Sequence, residues 1–227
     1  MAHIHLPDGS FSLLWVVIYF VMAALLVIII LAWMKIKGEK LSTEQKATAG
    51  ILAALQFVIS QIPIPAPWGG THLNFTPLLG IMAGPLIAVI VIVVVNIFSA
   101  LIGHGAWTIL GANIILYSVE SISAYYLYKF LRNRFDIRRF ISASIATGIA
   151  LIISTLTLTL MIGVAGIQGV HEPGIELMYS LWLLNAINLI VGAVEAFLTG
   201  FIIDYIGKVR PDYISAEKKE GGDELNG

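Results

Sequence analysis

The sequence predicts an all-α, polytopic membrane protein, and three observations carry that prediction. Mean hydropathy is +0.90, with 58% hydrophobic and only 12% charged residues, far from the balance of a soluble domain. Several runs approach or exceed the roughly 18 apolar residues that cross a hydrocarbon core about 30 Å thick, and residues 11–33 carry no charge at all. All 13 Lys and Arg residues fall in three short stretches, 35–46, 129–139 and 208–219. Backbone groups in lipid must be hydrogen-bonded within the protein, so the apolar runs read as helices. A transmembrane barrel would instead show alternating segments of about ten residues, a pattern this sequence does not have.

Lys and Arg near span ends stay on the cytoplasmic side, so the basic stretches mark one face and the elements follow in order. Residues 11–34 form the first span and lead into the basic loop 35–46. Residues 47–62 return and end at Pro63, Pro65 and Pro67, which no helix interior tolerates. The loop through Trp68, Gly69, Gly70, Thr71 and His72 has no basic residue and reads as external. Residues 106–128 are a clear span ending at the basic loop 129–139, so that span must start outside. An even number of crossings must therefore fit between residues 75 and 103, although two full spans of about 20 residues do not. The solution is a short helix over 76–83, a tight break at Gly84-Pro85, and a helix over 86–102. A shortened member is tolerated when protein rather than lipid surrounds it. The alternative, one long bent span, would put residues 129–139 outside.

Residues 141–162 run outward, the loop near 166–174 is external, and residues 177–206 return to Lys208. The layout is about seven transmembrane helices, amino end outside and carboxyl end in the cytoplasm, in a multi-pass protein of the cell membrane. Its parts are an external amino-terminal segment 1–10, a membrane domain 11–207 in contact with lipid, and a cytoplasmic tail 208–227. The tail is charged, lacks an apolar face, and is expected to be disordered. Residues 1–10 carry no Lys or Arg, unlike the start of a signal peptide, so the first span is expected to be retained.

The net charge of −1 implies no nucleic-acid partner, because membrane orientation accounts for the basic residues. The chain has no Cys, which excludes disulfides and thiolate ligands and leaves His, carboxylate, backbone or Met donors for any metal. All five histidines lie outside the basic stretches, and the layout gathers His3, His5, His72, His104 and His171 at the outer face. That separation points to a protein that captures a transition-metal ion outside and carries it inward. In Met1-Ala2-His3-Ile4-His5, a free amino terminus followed closely by His can chelate through amine, deprotonated amide and imidazole. Such nitrogen fields suit Ni(II) and Cu(II) and adapt to Co(II). Small Ala2 favours removal of Met1, giving three donors and an empty position for another imidazole. With Met1 retained, the amine, two amides and His3 fill all four positions. The bland alternative is an exposed terminus with two solvated histidines. Because the donors must lose protons, capture of this kind depends on pH.

Glu120 and Glu195 fall inside spans, where an ionised carboxylate is costly and usually marks function. Glu195 is expected to orient a ligand or to stabilise the loops above it; the alternative for both is a protonated or hydrogen-bonded carboxyl joining helices. Asn96, Asn113, Asn185 and Asn188 suit interhelical hydrogen bonds worth about 0.6 kcal/mol each. Asn113 is placed to brace the amino segment, and Asp8 to cap the first helix. His104, between two glycines, is a candidate ligand or ligand support, whereas His171 reads as solvated. Ala49, Gly50, Ala53 and Ala54 form a small-residue face of the kind that allows close helix contact.

His5-Leu6-Pro7-Asp8-Gly9 resembles the His-Ile-Pro-Asp-Gly opening of the CbiM/NikM family, the substrate-binding membrane subunits of energy-coupling-factor (ECF) cobalt and nickel transporters. Pro67-Trp68-Gly69-Gly70-Thr71-His72-Leu73 resembles that family's Pro-Gly-Gly-Thr…His-Leu loop, and Leu78-Leu79-Gly80-Ile81-Met82-Ala83-Gly84-Pro85 the Leu-Gly-Pro segment after it. Gly103-His104-Gly105 and Gly111-Ala112-Asn113 resemble the Gly-His-Gly-Gly…Gly-Ala-Asn block, and Glu195 and Arg210-Pro211-Asp212 stand where the last helix and its exit are recognised. The resemblance covers nearly the whole chain.

It implies a six-helix core with an extra amino-terminal helix, and a metal held by the terminal amine, the amide and ring of a second-residue His, and a loop His. The loop His corresponds to His72. His5 matches the second-residue His by the Pro-Asp-Gly that follows, and His3 by position once Met1 is lost; closeness to the amine favours His3. The implied ligand set is Ala2, His3, His5 and His72, with Asp8, His104, Asn113 and Glu195 in support. Two departures stand out: the loop before His72 is short, and Asn188 replaces an expected His.

The resemblance also implies partners: a membrane coupling subunit met through Ala49 and Ala53, two cytoplasmic ATPases, and a small accessory membrane protein. Cobalt or nickel is then cargo, feeding cobalamin or nickel-enzyme biosynthesis, with no prosthetic group. The chain carries no Gly-x-x-x-x-Gly-Lys-Ser/Thr loop, so ATP hydrolysis is expected elsewhere and the chain itself is not expected to be an enzyme. Rival readings are a proton-coupled secondary metal transporter using Glu120 or Glu195, an intramembrane metalloprotease, and a structural subunit. The protease would need His-Glu-x-x-His, and His171-Glu172 lacks the second His.

Overall fold

Seven α-helices run through the described residues: α1 (Leu13–Lys37), α2 (Thr43–Ser60), α3 (Thr76–Ala83), α4 (Pro85–Leu101), α5 (Leu110–Phe135), α6 (Arg139–Ala165) and α7 (Ile175–Val209). The computed structural model describes residues 8–38, 41–62, 72–168 and 175–217, with side chains in the last stretch from residue 189 onward. No strand occurs among them. Three helical stretches, Leu13–Lys37, Arg139–Ala165 and Leu189–Val209, are long and apolar enough to cross a membrane, and the shorter Pro85–Leu101 is apolar as well. On α1, Leu14, Leu25 and Ile29 are each more than half exposed. So continuous an apolar surface belongs against lipid rather than water.

The helix ends follow from local chemistry. Gly38 adopts a left-handed conformation (φ 65°) and returns its N–H to the Lys35 carbonyl, and Lys35 and Lys37 favour the negative end of the helix. A reciprocal capping box between Ser42 and Gln45 opens α2.

The short helix required by the charge arithmetic is present as α3, and all eight of its residues are buried. At 1.5 Å per residue it is about 12 Å long, so it cannot cross a bilayer alone, and protein encloses it. Gly80 brings it onto α5, because a Cβ there would collide with the Ser121 carbonyl oxygen. The break falls at Gly84 (φ 80°, ψ 163°), and α4 begins at Pro85, where the missing N–H costs nothing. Leu78, Ile81, Ile92, Tyr128, Ile203 and Ile214 form the main core.

Two expectations are corrected. Residues 208–217 are ordered, not disordered: α7 runs into two 3-10 turns, Pro211–Tyr213 and Ser215–Glu217. The reason is burial of Ile214 and Ala216 (0% and 2% exposed) together with Glu217, which accepts hydrogen bonds from Tyr128 Oη (2.7 Å), Arg132 Nε (3.1 Å) and Arg139 Nε (3.0 Å). Residues 218–227 lie outside the described residues. Asn96 does not bridge helices through its side-chain amide, which donates to the Ile92 carbonyl of its own helix at 2.8 Å. The side chains of Asn185 and Asn188 lie outside the described residues.

Candidate metal site

Ahead of α3 the chain is buried from His72, which is 5% exposed, through Asn74 at 2% and Phe75 at 7%. A buried stretch outside helical structure must find partners for its backbone, and two buried carboxylates supply them. Glu195 on α7 accepts the Phe75 N–H through Oε1 (3.1 Å) and the Asn74 N–H through Oε2 (3.4 Å). Glu120 on α5 accepts from the Asn74 side-chain amide (3.2 Å). The Asn74 Oδ1 then caps the start of α3 by accepting the Thr76 N–H (3.0 Å). Phe75 sits at φ 51°, uncommon for a bulky residue, and the Glu195 contact holds it there. Of the two roles expected of Glu195, the structure displays loop stabilisation. Glu120 is a hydrogen-bonded carboxyl that ties the same loop to α5.

This clamp positions His72, whose Nδ1 lies 2.9 Å from the Ser60 carbonyl oxygen at the end of α2. A carbonyl only accepts, so Nδ1 carries the proton and Nε2 the lone pair. That is the tautomer a metal ligand needs, oriented by a backbone carbonyl in the usual way. His104 approaches from the end of α4. Its N–H and that of Gly105 both donate to the Ser99 carbonyl (2.9 and 3.2 Å), across a turn that puts Gly103 at φ 77°. The two imidazole centres are 5.5 Å apart and nearly perpendicular (86°).

Both rings line a cavity of about 60 Å³, along with the amide side chains of Gln56, Asn74, Asn96 and Asn113 and the hydroxyl residues Ser60 and Ser99. Among the described residues no charged side chain lines it; the carboxylates of Glu120 and Glu195 stand one layer behind, reached through Asn74. Neutral nitrogen and oxygen donors of this kind favour transition metals over Mg²⁺ or Ca²⁺, which want carboxylates.

The amino segment is fastened next to this cavity. Asp8 Oδ1 accepts both the Thr108 N–H (2.9 Å) and its hydroxyl (2.8 Å), and the Gly9 N–H donates back to Thr108 Oγ1 (3.1 Å). These two bonds from Thr108, backbone first, hold the Asp8 carboxyl below the usual carboxylate range. Asp8 therefore does not cap α1, whose N-cap position is Ser12 with no side-chain bond. It caps the 3-10 turn Trp107–Ile109 that leads into α5. Among the described residues, Thr108 braces the segment at Asp8 and Gly9, and Asn113 lines the cavity. Below this anchor, Gly111 lets α5 touch α1, since a Cβ would lie 2.6 Å from the Phe20 nitrogen, and Tyr19 Oη donates to the Met161 carbonyl (2.9 Å).

Of the sequence-derived ligands, Ala2, His3 and His5 lie outside the described residues, as does His171. Among the described residues no group of three or more His, Cys, Asp or Glu side chains could hold a metal; what converges is the pair His72 and His104. The small face of α2 divides. Ala49 and Ala53, expected at a partner interface, pack against the core, whereas Gly50 and Ala54 are exposed. Two contributors escaped the sequence reading. Asn74 had a usable signal, an Asn just ahead of Thr76-Pro77, a helix-start pattern. Thr108 had none.

Membrane-crossing helices around a pocket that, among the described residues, holds two imidazoles and no charged side chain define a class, helical membrane proteins equipped to handle a transition metal. The chain belongs to the CbiM family, described as the cobalt uptake substrate-specific transmembrane region, whose family model matches residues 5–213. It is 29% identical over 208 residues to the cobalt transport protein CbiM of Clostridium tetani, covering 90% of this chain and 84% of that one. It is 27% identical over 221 residues to a protein of Archaeoglobus fulgidus provisionally named a fused nickel transport protein, NikMN, covering 96% of this chain and 70% of the other. A solved truncated transition metal transporter superposes with a TM-score of 0.74 at 21% identity, covering 91% of this chain and 99% of that structure. That match supports the fold.

Proposed function

We propose that the chain is the substrate-binding membrane subunit of an energy-coupling-factor importer, which captures Co(II) or Ni(II) outside the cell for uptake. The single observation that carries this reading is His72, buried in a cavity that no charged side chain lines among the described residues, with Nδ1 on a backbone carbonyl so that the lone pair lies on Nε2. In this reading the free terminus, the backbone amide and His3 complete a nitrogen field, with His5 as a further donor. The anchor at Asp8 makes this feasible. An extended chain spans at most about 3.3–3.6 Å per residue, so His5 is tethered within about 10 Å of Asp8 and His3 within about 18 Å. The seven helices then serve as spans, with the amino end outside and the basic helix ends in the cytoplasm. ATP hydrolysis and coupling come from other chains: two ATPases, a membrane coupling subunit and a small accessory protein. The exposed Gly50 and Ala54 face of α2 is the better candidate for the coupling contact than Ala49 and Ala53.

Calorimetry with Ni(II) and Co(II) on detergent-purified protein bearing its native terminus tests the site. His72→Ala, or a short extension blocking the amine, is expected to weaken binding by at least a hundredfold; undiminished affinity in both would refute the ligand set. Uptake in cells should require the coupling subunit and ATPases. Transport by the chain alone in proteoliposomes under a pH gradient would favour a secondary transporter instead. Competition between the two ions ranks cobalt against nickel.

A further inference from the structure

We infer that the basic end of α5 carries a seat for the headgroup of an anionic phospholipid, formed by Tyr126, Lys129, Phe130, Asn133 and Arg134. These positions fall at i, i+3, i+4, i+7 and i+8, so they share one face of the helix. They line an open depression of about 350 Å³, several times the volume of the cavity at His72. At 1.5 Å per residue the face runs about 12 Å along the axis. That is enough to reach from the acyl chains through a headgroup layer about 5–7 Å thick on each side. The proposed orientation makes this the cytoplasmic leaflet.

The face offers both halves of a lipid a match. Tyr126 and Phe130 are 58% and 55% exposed, and the Phe130 ring meets that of the similarly exposed Phe135 edge to face at 5.6 Å. Aromatic side chains so exposed suit the boundary between acyl chains and headgroups. Lys129, with Nζ 5.9 Å from the Tyr125 ring centre, joins Asn133 and Arg134 in bringing two positive charges and a neutral amide to one depression. A phosphodiester suits that set: a guanidinium binds phosphate oxygens through its planar fork, and an ammonium as a point charge. The ion pairs at this end single out Arg134. Arg132 and Arg139 pair with Glu217, Lys208 with Asp204 and Arg210 with Asp212. Asp136, two residues beyond Arg134, reaches Arg132 instead (3.7 Å). Among the described residues no carboxylate pairs with the exposed Arg134. Membrane orientation alone needs basic residues near span ends, but neither the depression nor the aromatic wall. A second copy of the chain would set like charges against each other on this face. Anionic lipid complements its charge and its apolar surface together.

Native mass spectrometry of the detergent-purified full chain, titrated with dioleoylphosphatidylglycerol or dioleoylphosphatidylcholine, tests the seat. The two lipids share acyl chains and differ in headgroup charge. Each basic side chain near a membrane surface favours anionic lipid by about fivefold, so the first phosphatidylglycerol should bind about 25-fold more tightly than phosphatidylcholine. Lys129→Gln with Arg134→Gln should abolish that preference. The charge-keeping exchange, Lys129→Arg with Arg134→Lys, should retain most of it, and Lys35→Gln with Lys37→Gln should leave it intact. The inference is overturned if Lys129→Gln with Arg134→Gln keeps the preference. It is also overturned if the changes at Lys35 and Lys37 lower the preference as much, which would mean diffuse attraction to the whole basic end. Displacement of the lipid by millimolar glycerol phosphate would overturn it too, since the seat would then take a free phosphate. Should the double change melt early, Arg134→Gln alone, at an exposed position, decides: a loss of about fivefold supports the seat, and no loss sinks it. Ni(II) affinity should not move in any of these chains, so failure here leaves the transporter reading standing.

Discussion

Glu120 and Glu195 at the His72 end, and Glu217 at the basic end, are all buried or nearly so, yet they are satisfied by different partners. The first two are 0% exposed and accept from amides: the Asn74 and Phe75 N–H groups and the Asn74 side chain. Glu217, its side chain 14% exposed, gathers the guanidinium groups of Arg132 and Arg139 and the Tyr128 hydroxyl. The contrast shows what each carboxylate is for. In the interior no water is available to a loop backbone, so the carboxylates serve as acceptors that let a non-helical segment descend among helices. At the basic end the arginine side chains stay 22% and 30% exposed, so water can take over if the carboxylate is lost. One clamp builds a site; the other fastens a tail.

The largest expected effect follows from that difference. Glu195→Ala removes the acceptor from two buried backbone amides, each costing about 1–3 kcal/mol when left unsatisfied. The melting temperature should fall by about 10 °C, and Ni(II) affinity should drop more than tenfold because His72 loses its mooring. Glu195→Gln, which keeps one acceptor oxygen, should recover part of both. If Glu195→Ala melts and binds like the parent, the loop is not held this way and the comparison collapses.

Next in size is Gly84→Ala. The position combines φ 80° with ψ 163°, a region essentially restricted to glycine, so the substitution should cost about 1–3 kcal/mol. A Cβ there would also sit 2.8 Å from Ser215 Oγ, pushing on the carboxyl-terminal turn. Loss of stability with unchanged metal affinity is the expected signature of the basic end. A matching loss of affinity would mean that the two ends are mechanically coupled through α3.

How much of this was legible beforehand divides along physical lines. The α3–α4 pair was readable because charge placement imposes parity and Gly84-Pro85 marks the turn. His72 and His104 were readable as donors, since few residue types bind transition metals and neither had a reason to sit in an apolar chain. The clamp was readable only in half. Glu120 and Glu195 stood out as intramembrane carboxylates, but their shared partner Asn74 is a common residue in an ordinary loop. Thr108 and Glu217 were not readable at all, because each acts on residues about a hundred positions away and carries no local pattern. The order of residues 208–217 was not legible, because composition could not reveal that Ile214 and Ala216 would be buried in the main core.

Glu217→Ala should be milder than either change above, lowering the melting temperature by about 3–6 °C for a cost near 1–2 kcal/mol, discounted because solvent can reach the arginines. Metal affinity should not move. Should it fall as far as in Glu195→Ala, the tail would belong to the site.

The smallest effect, and the sharpest on sign, is the response to acid. Burial pushes the Glu217 carboxyl up, but hydrogen bonds from Arg139 and Tyr128 outweigh it, and the net displacement is downward; Asp8 is displaced downward by Thr108. A carboxyl whose pKa is depressed on folding contributes stability above its unfolded value near 4, and loses it as pH falls through the folded value. Neither contact should weaken between pH 7 and pH 5, and both should weaken below about pH 4. The readout is the gap in melting temperature between the parent and Glu217→Gln, which should be steady from pH 7 to pH 5 and narrow by about 1–2 °C at pH 3.5. A gap that widens on acidification would mean that the carboxyl is held protonated in the folded state. Glu217 would then be a buried acid acting through its hydroxyl, like a neutral donor, and the contrast between the two ends would lose its electrostatic basis.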